Sequence, residues 1–106
     1  MERRKHPRKP VQCPISFKGD HIVGECTSSN LSMGGCKVVS DKLVYVGTIL
    51  EMQIHLPGQK SPLEVDEAVV RWLIGREIGV EFLRMRAEEQ DRLARFLNTL
   101  PTESPP

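Results

Sequence analysis

The residues best equipped for chemistry fall in two short stretches, Arg3-Arg4-Lys5-His6-Pro7-Arg8 and Ser29-Asn30-Leu31-Ser32-Met33-Gly34-Gly35-Cys36. Arg4 and Arg8 each carry a planar guanidinium fork, which grips a phosphate, or the O6/N7 edge of a guanine, with two parallel hydrogen bonds. Asn30 and Ser32 offer an amide and a hydroxyl at two-residue spacing, so an extended or turning backbone projects both to one side. Gly34 and Gly35 allow a sharp turn or a positive φ and leave room for a ligand against the main chain. Forks for phosphate and base edge on one side, with an amide, a hydroxyl and open backbone on the other, suit a guanine nucleotide.

Arg4-x-x-x-Arg8 followed by Asn30-x-Ser32-x-x-Gly35 resembles the two-part signature of PilZ domains, the bacterial receptors for cyclic di-GMP. Each motif alone is common, but the pair in this order is specific. Asn30 stands where the family has Asp or Asn, and Gly79-Val80-Glu81-Phe82 is similar to the family's closing strand, so the likeness runs from Arg3 to Leu100. The resemblance implies that Asn30 bonds a guanine or its ribose, that Ser32 bonds a guanine edge or a phosphate, and that Gly35 keeps space for the base. Arg3 adds a third guanidinium on which another guanine can stack, so two cyclic di-GMP molecules per domain are expected.

The elements that must position these groups read as short strands. Val11, Cys13, Ile15 and Phe17 alternate with polar residues, the period of a half-buried strand, and Pro14 confines that strand to an edge or a bulge. Lys18-Gly19-Asp20-His21 is a tight hairpin turn. With Gly19 and Asp20 at its centre, Cys13 faces Cys26 across the hairpin. Ile22–Thr27 returns into the Asn30 turn, and Cys36–Val39 is a third strand. Leu50, Met52, Ile54 and Leu56 mark one face of a fourth. A fifth strand starts on odd positions with Leu63 and Val65 but continues on even ones with Ala68, Val70, Trp72 and Ile74. A β-bulge at Asp66-Glu67 restores one buried face, and that reading makes Trp72 a core residue. Ile78, Val80 and Phe82 form a sixth strand. From Ala87 the period changes, and Leu93, Phe96, Leu97 and Leu100 make the apolar stripe of a helix that Pro101 ends. The expected fold is mainly β, a small six-stranded antiparallel β-barrel with a C-terminal α-helix. PilZ domains have such a barrel and helix.

The 106 residues are enough for one domain. Residues 1–10 carry five Lys/Arg against one Glu, a local +4, whereas the remainder carries ten against thirteen, a local −3. Residues 1–10 are therefore expected to be a mobile basic arm, residues 11–100 the barrel and helix, and residues 101–106 a disordered tail. No stretch is long and apolar enough to span a bilayer, and a cytoplasmic address without membrane insertion is the expectation. Cys13, Cys26 and Cys36 form no C-x-x-C pair and His6, His21 and His55 have no zinc-ligand spacing, so reduced thiols and no metal or other cofactor are expected.

Catalysis is not expected, because the three histidines fall in an arm, a turn and a polar strand face, where they do not converge with a nucleophile or carboxylate. Two other readings stay open. A small barrel with a basic arm could track a nucleic-acid backbone, although the barrel itself is net acidic and has few aromatics to stack bases. A PilZ-like adaptor could work by protein contact without nucleotide. The favoured expectation is a cyclic di-GMP receptor that changes its surface on binding and, with no output domain in these residues, regulates an effector protein in trans.

Overall fold

The computed structural model describes residues 8–100. Seven antiparallel strands precede one helix: β1 (Lys9–Pro10), β2 (Pro14–Lys18), β3 (Val23–Leu31), β4 (Gly35–Val39), β5 (Ile49–Ile54), β6 (Leu63–Ile74), β7 (Glu77–Arg84) and α1 (Ala87–Asn98). The order β3-β2-β5-β6-β7-β4 returns to β3 through a β3–β4 pairing, so six strands close a barrel, with β1 added beside the upper part of β3. The mainly β barrel with a C-terminal helix is the architecture expected from the strand periods.

Closure needs curvature, and four bulges supply it, one of them in β7, where Leu83 is left unpaired between Glu67↔Arg84 and Ala68↔Phe82. Two residues, Asp66 and Glu67, oppose Glu51 alone between the pairs Met52↔Val65 and Leu50↔Ala68. This is the bulge that the parity change in the sequence demands. A third leaves Arg71 unpaired between Val70↔Val80 and Trp72↔Gly79. A fourth leaves Ser29 unpaired between Ser28↔Val38 and Asn30↔Lys37. Each shifts the inside-outside alternation by one position. Trp72 is therefore not part of the buried cluster, and Ile74 is largely exposed, contrary to the inward assignment of both.

The interior holds Ile15, Leu31, Met52, Ile54, Val65 and Val70, each at 2% exposure or less. Leu93, Phe96 and Leu97 of α1 join this cluster and cap the barrel with the helix's apolar stripe. A buried Leu31→Ala here would cost about 2–5 kcal/mol. Helix docking is also polar. Glu89 accepts from the Glu64 backbone N–H at 2.7 Å and pairs with Arg92 at 3.1 Å, while Arg92 also donates to the carbonyls of Ser61 and Pro62. Burial works to raise the Glu89 carboxyl pKa, but the Glu64 amide and the Arg92 guanidinium outweigh it and hold the group below the ordinary carboxylate value.

The first hairpin departs from its expected register. Lys18 pairs with Val23 and the Gly19 N–H bonds the Ile22 carbonyl, so the turn centres on Asp20 and His21, one residue later than expected. Cys26 then faces Ile15, while Cys13 faces Ser28 through the Ser28 N–H to Cys13 carbonyl bond. All three cysteines are free. Burial pushes the Cys26 thiol up to about 12 and raises Cys13 and Cys36 as well, which keeps the thiols protonated. Pro14 is not on an edge: β2 lies between β3 and β5, with the proline at its first position, where a missing N–H is tolerated. Lys9 and Pro10, placed in the arm by composition, form the short strand β1.

A candidate ligand-binding row on the outer barrel surface

Asn30 lies in β3, one residue past the Ser29 bulge, rather than in a free turn. The bulge follows Ser28, whose buried hydroxyl accepts from the Cys13 N–H at 2.9 Å and donates to the Val11 carbonyl at 2.7 Å, stitching β3 to the β1–β2 link. Because the alternation shifts there, Leu31 turns into the core and Asn30 to the outer face. The Asn30 Oδ1 accepts from the Lys37 N–H at 3.2 Å, which fixes the side chain against β4. Arg8 Nη1 donates to the same oxygen at 3.3 Å. With Oδ1 used twice, the Asn30 NH2 group is the donor left to face outward.

Arg8 is brought there by β1, whose Pro10 pairs with Asn30 and Lys9 with Leu31. The Lys9 ammonium reaches the other way, donating to the Leu97 and Leu100 carbonyls at 2.6 and 3.1 Å. Lysine at a helix C-terminus satisfies end carbonyls and complements the helix dipole. One short strand thus presents a guanidinium to the outer face and anchors itself to α1. Arg3 and Arg4 lie outside the described residues.

Ser32 and Gly35 do structural work within the turn itself. The turn proper is Ser32-Met33-Gly34, and the buried Ser32 hydroxyl accepts from the Gly34 N–H and donates to the Gly35 carbonyl, both at 3.2 Å. That hydroxyl is satisfied by its own turn. A Cβ at Gly35 would collide with the Val80 carbonyl oxygen of β7, so glycine here permits close strand approach. Neither Gly34 nor Gly35 has a positive φ. Both motif residues build the turn that places Asn30.

Pairing carries the outer face onward: Asn30 opposes Lys37, Lys37 opposes Gly79, and Gly79 opposes Trp72. At about 4.8 Å per strand, the row from Pro10 to Trp72 spans roughly 19 Å of sheet. Trp72 lies flat on Gly79, where a Cβ would overlap its Cε2 and Nε1. The half-buried indole leaves a π surface at one end of the row, opposite the Arg8 guanidinium at the other. Lys37 contributes an ammonium 3.9 Å from Glu77, and Arg71 pairs with Glu81 at 2.6 Å on the same face. Sequence reasoning did not place Lys37 on this row and took Trp72 for a core residue. The signal for Trp72 was Gly79 itself, an isolated glycine inside a strand that marks a close approach. Among the described residues no cluster of His, Cys, Asp or Glu is placed to hold a metal, and no helix is long and apolar enough to cross a membrane.

Comparison with solved structures gives the same fold in several proteins. The Bacillus subtilis inhibitor of motility, MotI/DgrA, superposes with a TM-score of 0.75 at 24% identity, covering 93% of this chain and 52% of that one, so the chain spans about half of MotI. The PilZ domain with c-di-GMP of YcgR from Escherichia coli matches with a TM-score of 0.73 at 16% identity, covering 93% and 92%. The PilZ domain of CeSA from a cellulose-synthesizing bacterium matches with a TM-score of 0.67 at 17% identity, covering 87% and 95%. No curated protein matches by sequence. The family model for the PilZ domain matches residues 2–99, nearly the whole chain, and on that match the chain belongs to the PilZ domain family.

Proposed function

We propose that this chain is a cytoplasmic receptor for cyclic di-GMP that regulates a partner protein in trans. The observation that carries the reading is Asn30, turned outward by the Ser29 bulge with its Oδ1 pinned by the Lys37 N–H and the Arg8 guanidinium 3.3 Å away. An outward amide donor beside an arginine fork fits a guanine base and a phosphate together. The YcgR domain with the same fold carries c-di-GMP, which adds weight to the reading.

Arg4 and Arg8 act as the phosphate and guanine grips, and Asn30 bonds the base or ribose. Ser32 and Gly35 hold the turn that positions Asn30. Trp72 offers a stacking surface at the far end of the row, and Arg3 supplies the guanidinium for a second, intercalated nucleotide. Ligand engagement replaces the Arg8–Asn30 contact and repositions β1. Because Lys9 ties β1 to α1, the change reaches the helix C-terminus and alters the surface offered to a partner. Titration calorimetry with cyclic di-GMP, with GTP and single-stranded DNA as controls, tests this: saturable heat with the dinucleotide alone supports it. Tight DNA binding without a dinucleotide signal overturns it.

A further inference from the structure

Apolar surface is concentrated where β4 connects to β5. Leu43 is 70% exposed, Tyr45 69%, Val46 61% and Ile49 47%. Scattered single apolar residues are normal on a surface, but four large ones within seven positions form a patch. The segment is not loose chain. Val44, between Leu43 and Tyr45, is buried at 3% exposure in the barrel core. The Thr48 N–H closes a turn on the Tyr45 carbonyl at 3.0 Å, with Gly47 supplying a φ of +94°. Gly47 N–H bonds the Val70 carbonyl at 2.7 Å and Val70 N–H bonds the Thr48 carbonyl at 3.0 Å. The outward apolar side chains are thus held on a fixed frame.

Beside them runs an open groove of about 960 Å³, with Leu43, Tyr45 and Ile49 along one part of it. Its charged lining is Asp20, Glu51, Asp66 and Glu67 against Lys18 alone, four negative to one positive, and Lys18 sits 3.8 Å from Glu51. We propose that this groove is a docking surface for a partner polypeptide whose contacting segment is apolar and flanked by Lys or Arg. Charge complementarity selects the occupant. An anionic membrane would meet four carboxylates, and a second copy docking by two-fold symmetry would set the same carboxylates against each other. At this volume the groove has room for several side chains of a docked segment. This inference does not rest on the nucleotide reading, and its test is made without nucleotide.

The probes are two synthetic 14-residue peptides (about four turns if helical) with identical Leu and Phe positions, one carrying Lys and Arg elsewhere and the other Glu. Fluorescence anisotropy against the full chain is expected to show the basic peptide binding at least about tenfold more tightly than the acidic one. Backbone amide shifts in NMR are expected at Thr48, Ile49 and Glu67. Tyr45→Ser, at an exposed position that leaves the core intact, and the charge-reversing Asp66→Lys/Glu67→Lys variant should each weaken the basic peptide by about tenfold. Equal affinity for both peptides, no binding of either, or shifts confined to Asn30 and Gly79 would overturn the proposal. So would self-association in sedimentation that Tyr45→Ser abolishes, because the occupant would then be a second copy.

Discussion

The outer face around Asn30 and the junction around Glu89 are both polar, yet they use their hydrogen-bonding capacity in opposite ways. At the junction, Glu89 is 7% exposed and its carboxylate is consumed by the Glu64 amide and Arg92. On the outer face, Asn30 spends its oxygen on the fold and turns its NH2 outward beside an arginine. A polar group whose partners all lie within the fold is there for stability, because leaving it unpaired in the interior costs about 1–3 kcal/mol. One with capacity left over at the surface is available to a ligand. By this criterion Ser28 and Ser32 are held within the fold as Glu89 is, and Arg8, Asn30 and Lys37 form the candidate ligand face.

The contrast is broken most severely if the arginines prove structural. Arg4→Ala or Arg8→Ala is expected to abolish detectable cyclic di-GMP binding in calorimetry and leave the thermal midpoint of the free protein nearly unchanged. Unfolding of the barrel by either substitution would move the arm to the stability side of the comparison. Glu89→Ala should do the reverse, costing about 2 kcal/mol and lowering Tm by on the order of 10 °C while nucleotide affinity holds. Because the folded pKa of Glu89 is depressed, its contribution is fully present above the ordinary carboxylate pKa and fades as pH falls through the lower folded value. Wild type should therefore lose stability over that acidic range more steeply than Glu89→Ala, as urea midpoints measured against pH would show.

Trp72→Ala sharpens the extent of the ligand face. Loss of a stacking surface is worth about 1–3 kcal/mol per base, so affinity should fall by roughly tenfold or more. Unchanged affinity would end the row at Lys37. The smallest expected effect belongs to Arg3→Leu, which should lower the calorimetric stoichiometry from two nucleotides per chain toward one without eliminating binding. A stoichiometry of one in both proteins would remove the paired ligand and leave the receptor assignment standing.

Sequence legibility followed the same division. Strand periods and the helix stripe were readable because burial imposes alternation, and the Asp66-Glu67 bulge was readable because two polar residues interrupt an apolar parity. The Arg71 bulge was hidden, since Trp72 and Ile74 continue the apolar parity of Ala68 and Val70 while lying outside the buried cluster. The Ser29 bulge was hidden in a run of small polar residues with no parity to break. Turn position was misread by one residue at Gly19, since glycine can flank a turn as readily as centre it. For the site, residue types pointed to Arg8 and Asn30, but Lys37 and Trp72 are joined to them only by cross-strand register, a long-range property that spacing does not carry.

The central claim is that the row from Arg8 through Asn30 and Lys37 to Trp72 receives the nucleotide. Its most direct test is an NMR titration of the labelled full chain with cyclic di-GMP, following the Asn30 side-chain NH2, the Lys37 backbone N–H, the Trp72 indole N–H and, as reference, the Glu64 backbone N–H held by Glu89. Saturable shifts of the first three with the Glu64 signal unmoved are the expected result. Shifts absent at saturating nucleotide, or confined to residues off this row, would contradict it.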